Sequence, residues 1–345
     1  MEYMREKYSF SISCIRVVAT LLIILCHVVQ EYNNSILAMT GQIFNVGVII
    51  FFFMSGFLYG DKEITNVGKW ISNRFVRLML PIYIFLIYLL VIFLFQKKAI
   101  SIEVLLIHVL NLQGIINTYF LGLGHLWFVS VIMICYLLTP IIYKINEKNN
   151  SLNLYKFLFV SVVLIVLQII LSLILNYHLI GIYLVYIYVY FLGYYSKKIK
   201  WMNLVKYANI FLIIAVVSIL ARFGLRYVFD GSILYDSVIV PYTQLVFGIS
   251  IFYYMFFFFY KIKEKNSKNI ITILINKIDT LSYDIYISHY IYCVGPLAII
   301  GSVTSSYLID TLLFIIVTLF TSIILHNITQ LINKKFLNSK KERIK

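Results

Sequence analysis

Residues 11–29 read SISCIRVVATLLIILCHVV, and this stretch decides the fold class. It is about as long as a helix that crosses a lipid bilayer, which needs about 20 apolar residues. It also carries Arg16 and His27. Eleven helical steps return His27 to nearly the face of Arg16, about 16 Å further along the axis. Because charges in lipid are costly, the pair predicts a polar site enclosed by membrane helices. The alternative is that Arg16 reaches lipid phosphate while His27 bonds to a neighbouring helix.

The composition extends this interpretation to the whole chain. Of 345 residues, 62% are hydrophobic and 12% are charged, and the mean hydropathy is +0.92. A soluble domain has about twice that charged share, so a soluble enzyme, a disordered chain and a disulfide scaffold are excluded. Long continuous apolar runs exclude a membrane β-barrel, whose strands alternate. We therefore predict an all-α polytopic protein of the cell membrane, with one domain over 1–345. The four isolated cysteines predict buried thiols, with neither a disulfide framework nor a metal site.

Ten apolar runs predict ten transmembrane helices, at 11–30, 41–60, 75–95, 125–143, 154–176, 180–196, 204–225, 237–261, 281–301 and 307–333. Another stretch, 103–123, is broken by polar residues and glycines and predicts a re-entrant or surface segment. With both termini cytoplasmic, 25 of the 29 Lys and Arg lie on the inner side, as the positive-inside rule requires. The net charge of +15 thus reflects orientation in the membrane and requires no nucleic acid partner.

Two arginines at the start of the third run form a candidate anion site. Arg74 and Arg77, in NRFVRLMLP (73–81), are three residues apart and share a helix face. Two guanidinium groups suit phosphates. An ordinary basic flank of a membrane helix is the alternative. Arg222 and Arg226, near the outer surface, either extend to the surface or bind an acidic acceptor.

Two later segments add polar groups inside apolar runs. HLWF (125–128) holds His125 and Trp127, although a lone Trp is common at membrane interfaces. LSYDIYISHYIY (281–292) places Ser282, Tyr286 and His289 on one helix face. His289 is predicted to lie well inside the membrane. In the second run, the small residues Ser55 and Gly56 predict close approach of a neighbouring helix.

Taken in order, these segments resemble the acyltransferase-3 family of integral-membrane O-acyltransferases. The matching elements are Arg16–ten residues–His27, the FFxxSGF element ending at Phe57, the RxxR element at Arg74, HLWF and LSYDIYISHY. The resemblance implies transfer of an acyl group, usually acetyl, from cytoplasmic acyl-CoA to a hydroxyl of an extracytoplasmic glycan or glycolipid. The acidic residue that often precedes the family's first-helix arginine is absent here. The lack of a fused hydrolase-like domain implies a stand-alone enzyme or a separate partner.

The resemblance and the residues together give expected roles. His27 is the general base or the acyl acceptor, since an imidazole titrates near operating pH. Glu31, four residues later, is a candidate to orient it. Donor phosphates are expected at Arg74, Arg77 and Arg16. Candidates to bind the acceptor or stabilise the oxyanion are His125, Trp127, Ser282, Tyr286 and His289.

Two rival functions come from other classes. One is a transporter or flippase for a glycan lipid or small solute, which would carry Gly- or Pro-broken helices in paired halves. The four prolines show no such pairing. The other is a sensor or structural subunit surrounded by membrane lipid. Turnover of labelled acetyl-CoA separates an enzyme from both. The acceptor, the acyl chain length and the oligomeric state are left open by the sequence.

Overall fold

The computed structural model describes residues 2–32, 34–97, 100–116, 122–148, 154–174, 178–197, 201–262 and 269–342. Over these ranges the protein is helical and has no β-strand. The α-helices are α1 (Glu2–Glu31), α2 (Ser35–Phe44), α3 (Val46–Tyr59), α4 (Val67–Phe95), α5 (Ile102–Val109), α6 (Trp127–Lys148), α7 (Leu154–Ile169), α8 (His178–Ser196), α9 (Ala208–Phe229), α10 (Val240–Ile262), α11 (Ile270–Cys293) and α12 (Tyr307–Glu342). Short 3-10 segments precede α6 (Gly124–Leu126) and α9 (Trp201–Tyr207), and π-helical segments follow α7 (Ile170–Ile174) and precede α10 (Tyr235–Ile239).

Long apolar helices confirm that the chain is a multi-pass membrane protein. In the described ranges, seven segments are long and apolar enough to cross a bilayer: Glu6–Glu31, Ile36–Tyr59, Val67–Phe95, Gly124–Ile145, Leu204–Phe229, Tyr235–Ile262 and Tyr307–Lys335. Leu158–Ile174 is a shorter apolar helix. The count of ten spans and the cytoplasmic termini stay predictions.

The predicted bounds of the ninth run, 281–301, are wrong. The helix there is α11, which begins at Ile270 and ends at Cys293. Its first turns, IITILI (270–275), are separated from the predicted run by NKIDT (276–280), which contains four polar residues. Hydropathy stops at this polar stretch, whereas the backbone hydrogen bonds of the helix continue through it. At the other end, Gly295 takes a φ of 120°, which a helix cannot accommodate.

The described part of 103–123 contains only α5 and the turn after it. Eight residues give about 12 Å of helix, far too short to cross a bilayer. The polar residues that follow dock on α6. Gln113 donates to the carbonyl of Leu126 at 3.2 Å, and the Ser130 hydroxyl accepts from the Gly114 amide at 3.1 Å. Residues 117–121 lie outside the described residues, and the choice between a re-entrant and a surface segment stays a prediction.

The chain divides into two compact units. The first contains residues 1–23, 42–67 and 134–279, and the second contains 24–41, 68–133 and 280–345. The helix α1 continues from one to the other. The expectation of a single acyltransferase domain stays a prediction.

Glycines set the packing of α3 against α8 in the first unit. A Cβ added to Gly56 would lie 1.8 Å from the carbonyl oxygen of Tyr190, and one on Gly193 would lie 2.0 Å from that of Phe53. These two backbones are therefore in van der Waals contact, as close-packed membrane helices with small residues allow. The close approach predicted at Gly56 is confirmed.

Candidate functional site

Three histidines from separate segments meet in the second unit. His27 lies near the end of α1, His125 lies in the turn before α6, and His289 lies one turn before the end of α11. The ring centroid of His289 is 5.5 Å from that of His27 and 5.1 Å from that of His125. Sequence analysis named each of them separately, and the structure brings them together. We call these three residues the histidine cluster.

Two tyrosines complete the packing around these rings. The ring of Tyr290 lies 4.7 Å from that of His27 and 4.9 Å from that of His125. Tyr286 donates its hydroxyl hydrogen to the carbonyl oxygen of His125. Tyr286 was a predicted site residue, whereas Tyr290 was missed. The rings of the three histidines and the two tyrosines pack together. The hydrogen bond of Tyr286 joins α11 to the turn that carries His125.

Backbone carbonyls set the tautomers of the two more buried imidazoles of the histidine cluster. His289 Nδ1 lies 2.7 Å from the carbonyl oxygen of Tyr286, and His125 Nε2 lies 3.2 Å from that of Ile287. A carbonyl oxygen only accepts, so each of these nitrogens carries a proton. In a neutral ring the second nitrogen is then bare. His289 therefore presents a lone pair at Nε2, and His125 presents one at Nδ1.

These bare nitrogens have no hydrogen-bond partner among the residues that the structure describes, although both atoms are buried. A buried acceptor without a donor costs about 1–3 kcal/mol, so such atoms call for a functional explanation. Two acceptors beside His27 suit a hydroxyl group or a protonated imidazole. The cluster can therefore receive and hold a proton.

His27 is the most accessible of the three. It is half-buried, whereas His125 is 5% exposed and His289 is fully buried. A half-buried imidazole packed beside two rings with bare nitrogens has an arrangement suited to a general base or nucleophile. Over the described part of the chain, no hydrogen bond joins Glu31 to His27, so the predicted orienting role of Glu31 has no contact to support it.

The other residues expected near the acceptor differ in their placement. Ser282 is buried on α11, as Tyr286 and His289 are. Trp127 is half-buried at the start of α6. Its neighbour Phe128 places its ring 5.3 Å from that of Tyr286.

Arg16 forms an ion pair in the first unit. Its Nη1 lies 2.6 Å from a carboxylate oxygen of Asp279, and the Ser13 hydroxyl donates to the other oxygen at 2.8 Å. The Arg16 side chain stays 26% exposed, so one side of the guanidinium remains open. Asp279 was missed by sequence analysis, because it lies in the polar first half of α11, outside the predicted run.

The two arginines of the RxxR element lie on α4 in the second unit. The Arg74 guanidinium stacks over the ring of Trp70, 4.2 Å from its centroid, and Trp70 is buried. Arg77 is exposed. This cation–π contact fixes the position of the Arg74 guanidinium beside the Trp70 ring. Trp70 was not among the predicted site residues.

A second polar contact missed from the sequence joins α11 to α12. His326 Nδ1 lies 2.9 Å from a carboxylate oxygen of Asp284, which is 6% exposed. The hydroxyls of Ser288 and Ser322 lie 2.9 Å apart on the same two helices. In the described ranges, no three His, Cys, Asp or Glu side chains are arranged to hold a metal ion.

Comparison with known proteins identifies a family for this chain. The family described as an acyltransferase domain matches residues 10–327, which is nearly the whole chain. No curated protein and no solved structure matches it at a significant level. The match runs from α1 into α12 and so includes all three members of the histidine cluster. The chain therefore belongs to the acyltransferase-3 family and is a membrane-embedded acyltransferase.

Proposed function

We propose that the protein moves an acyl group, most simply acetyl, from cytoplasmic acyl-CoA to a hydroxyl of an extracytoplasmic glycan or glycolipid. The observation that carries this proposal is the meeting of His27 with His125 and His289. It supplies an accessible base beside two buried acceptors. In this proposal the chain spans the membrane ten times with both termini in the cytoplasm, which the distribution of Lys and Arg supports.

The donor enters from the cytoplasmic side. Arg74, held against Trp70, and the exposed Arg77 bind the phosphates of the coenzyme. From the sequence, Arg16 is expected as a further phosphate ligand. Because α1 is continuous, His27 lies about 16 Å along its axis from Arg16. The pantetheine arm spans a distance of this size and brings the thioester to His27.

In the direct route, the acceptor hydroxyl oxygen attacks the thioester carbonyl carbon while His27 takes the hydroxyl proton. The C–S bond breaks, and the leaving thiolate takes that proton from the imidazolium. The products are an ester and free coenzyme A. The bare nitrogens of His125 and His289 accept hydrogen bonds from the acceptor or from the protonated ring, which lowers the cost of charge in an apolar site.

In the two-step route, a ring nitrogen of His27 attacks the thioester first, and its ring proton goes to the departing thiolate. The resulting acyl-imidazole is then attacked by the acceptor hydroxyl, whose proton returns to the ring. Both routes give the same products. Acid-quenched incubation with labelled acetyl-CoA and no acceptor distinguishes them, since only the two-step route leaves label on the protein.

The test of the proposal is turnover of labelled acetyl-CoA in membranes that contain the protein. We expect His27→Ala to lower acyl transfer by about 10²–10⁴-fold at matched expression. Gln30→Ala, on the exposed surface of the same helix, is the matched control and should retain activity. Near-normal transfer by His27→Ala would refute the role of His27. Absence of acetyl-CoA turnover in the wild-type protein would favour a transporter, a sensor or a structural subunit.

Donor binding is tested separately. Arg74→Gln together with Arg77→Gln should raise the KM for acetyl-CoA at least tenfold, with a smaller change in kcat, because the phosphates do not take part in bond making. An unchanged KM would remove the two arginines from the donor site.

A further inference from the structure

Arg222 is a buried cation in the first unit. It lies on α9, its residue is 9% exposed, and its Nη1 donates to the carbonyl oxygen of Gln42 at 3.3 Å. Across the described ranges, no carboxylate lies within ion-pair distance of it. Arg226, one turn later, pairs with Asp230 at 3.3 Å and is more exposed. Burial excludes the alternative in which Arg222 extends to the surface, and a buried charge without a counter-ion is costly.

An unsatisfied donor lies beside Arg222. Gln244 on α10 is 6% exposed, and its Nε2 has no partner among the described residues. Both residues line one small cavity, of about 10 Å³, together with Ser218 and Thr243. The Ser218 and Thr243 hydroxyls already donate to carbonyls of their own helices. The cavity therefore offers a charged donor and a neutral donor, and lacks an anionic acceptor.

The backbone just before α10 is irregular and is fixed by two side-chain hydrogen bonds. The π-helical segment Tyr235–Ile239 leads directly into α10. The Tyr235 hydroxyl donates to the carbonyl oxygen of Arg222 at 3.1 Å, and Gln168 donates to that of Ser237 at 2.6 Å. Single π-helical turns persist mainly where function requires them. Here the turn fixes α10 beside α9, so that Gln244 faces the cavity that Arg222 lines.

We propose that Arg222 and Gln244 form a binding site for a phosphate-type oxyanion, either the phosphodiester of a lipid headgroup or free phosphate. The guanidinium supplies the counter-charge and one N–H, and the Gln244 amide supplies a second. Because the cavity holds about one water-sized group, one oxygen of the anion enters and the rest lies outside. This site is separate from the histidine cluster and does not depend on the proposed acyl transfer.

The experiment is thermal unfolding of the purified full-length protein in dodecyl maltoside and phosphate-free buffer. The probes are inorganic phosphate, with chloride at equal ionic strength as its control, and phosphatidylglycerol, with diglucosyl diacylglycerol as its phosphate-free control. We expect phosphate or phosphatidylglycerol to raise the melting temperature by about 3 °C or more at saturation. A shift with inorganic phosphate identifies the free ion. A shift with phosphatidylglycerol alone identifies the lipid headgroup.

Three variants separate this site from general charge effects. Arg222→Gln and Gln244→Glu should each abolish the shift. Gln244→Glu should also raise the melting temperature without any anion, because the new carboxylate becomes the partner of Arg222. Arg226→Gln, one turn away, is the control and should keep the full shift. The proposal is overturned if neither probe stabilises the wild type, if the phosphate-free lipid does so equally, or if Arg226→Gln and Arg222→Gln behave alike.

Discussion

Asp279 on α11 holds Arg16 at 2.6 Å, and Ser13 donates to the second oxygen of the same carboxylate. The cation that marks the first apolar run is therefore compensated by an acid far away in the sequence. Because the Asp279 side chain is 13% exposed, removing either partner leaves a partly desolvated charge. The pair is thus a structural unit as well as part of the proposed donor path.

The first prediction concerns this ion pair. Asp279→Asn and Arg16→Gln should each destabilise the protein, and the double variant should lose less than the sum, with a coupling of about 1 kcal/mol. The measurement is the melting temperature of the four proteins in detergent. Asp230→Asn removes the exposed acid of another Arg–Asp pair and should change stability by less than about 0.5 kcal/mol. Strict additivity of the Arg16 and Asp279 variants would contradict the coupling.

The histidine cluster could be predicted in part from the sequence. His27, His125 and His289 are recognisable because an imidazole inside an apolar run is unusual. Tyr290 could not be recognised in this way, because the chain has 29 tyrosines. Spacing alone does not distinguish a tyrosine that packs against His27 from a tyrosine that packs elsewhere. The tautomers were also beyond reach, because they depend on where the carbonyls of Tyr286 and Ile287 lie.

The helices, too, could be predicted only in part from the sequence. Apolar runs locate most membrane helices, since hydropathy reports which segments lipid tolerates. Helix ends follow backbone hydrogen bonds and glycine conformations instead, so the turns of α11 before residue 281 and its end before Gly295 were missed. Asp279 was overlooked with those turns. Trp70 was not predicted as a site residue, because a Trp before a basic segment is also common at membrane interfaces.

The second prediction tests the tautomer of His289. The Asn side chain places its amide close to the position of Nδ1, so His289→Asn should keep the hydrogen bond to the Tyr286 carbonyl and lose only the bare Nε2. We expect near-normal thermal stability and acyl transfer reduced by about 10²-fold or more. His289→Gln, which loses the Nδ1 donor, should instead be less stable, by about 1 kcal/mol. The readouts are melting temperature and acetyl-CoA turnover.

The third prediction applies the same pair of substitutions to His125, where the order should be reversed. His125 donates through Nε2 and is bare at Nδ1. His125→Gln should therefore preserve stability while lowering turnover, and His125→Asn should lose stability. A common order of stability at His125 and His289 would show that the assigned tautomers are wrong.

The fourth prediction concerns the glycine contact between α3 and α8. Gly56→Ala should destabilise the protein by about 3 kcal/mol or more, because the new methyl group overlaps the Tyr190 carbonyl and two backbones must separate. Gly224→Ala is the matched control. It lies inside α9 with nothing within 4 Å of the added Cβ, so it should be neutral or slightly stabilising. Equal melting temperatures for the two variants would contradict the close packing of α3 and α8.

The last prediction is a pH dependence at α5. Burial lowers the pKa of His108, which is 2% exposed and whose Nδ1 lies 2.8 Å from the Val104 carbonyl. The folded state thus favours the neutral ring, while the unfolded chain binds a proton near pH 6.5. The stability that His108 contributes is present above that pH and is lost as the pH falls below it. His108→Asn keeps a donor for Val104 and does not titrate, so its melting temperature should fall less than that of the wild type between pH 7.5 and 5.5. The other five histidines are common to both proteins. Parallel curves would therefore show that His108 is not buried as a neutral ring.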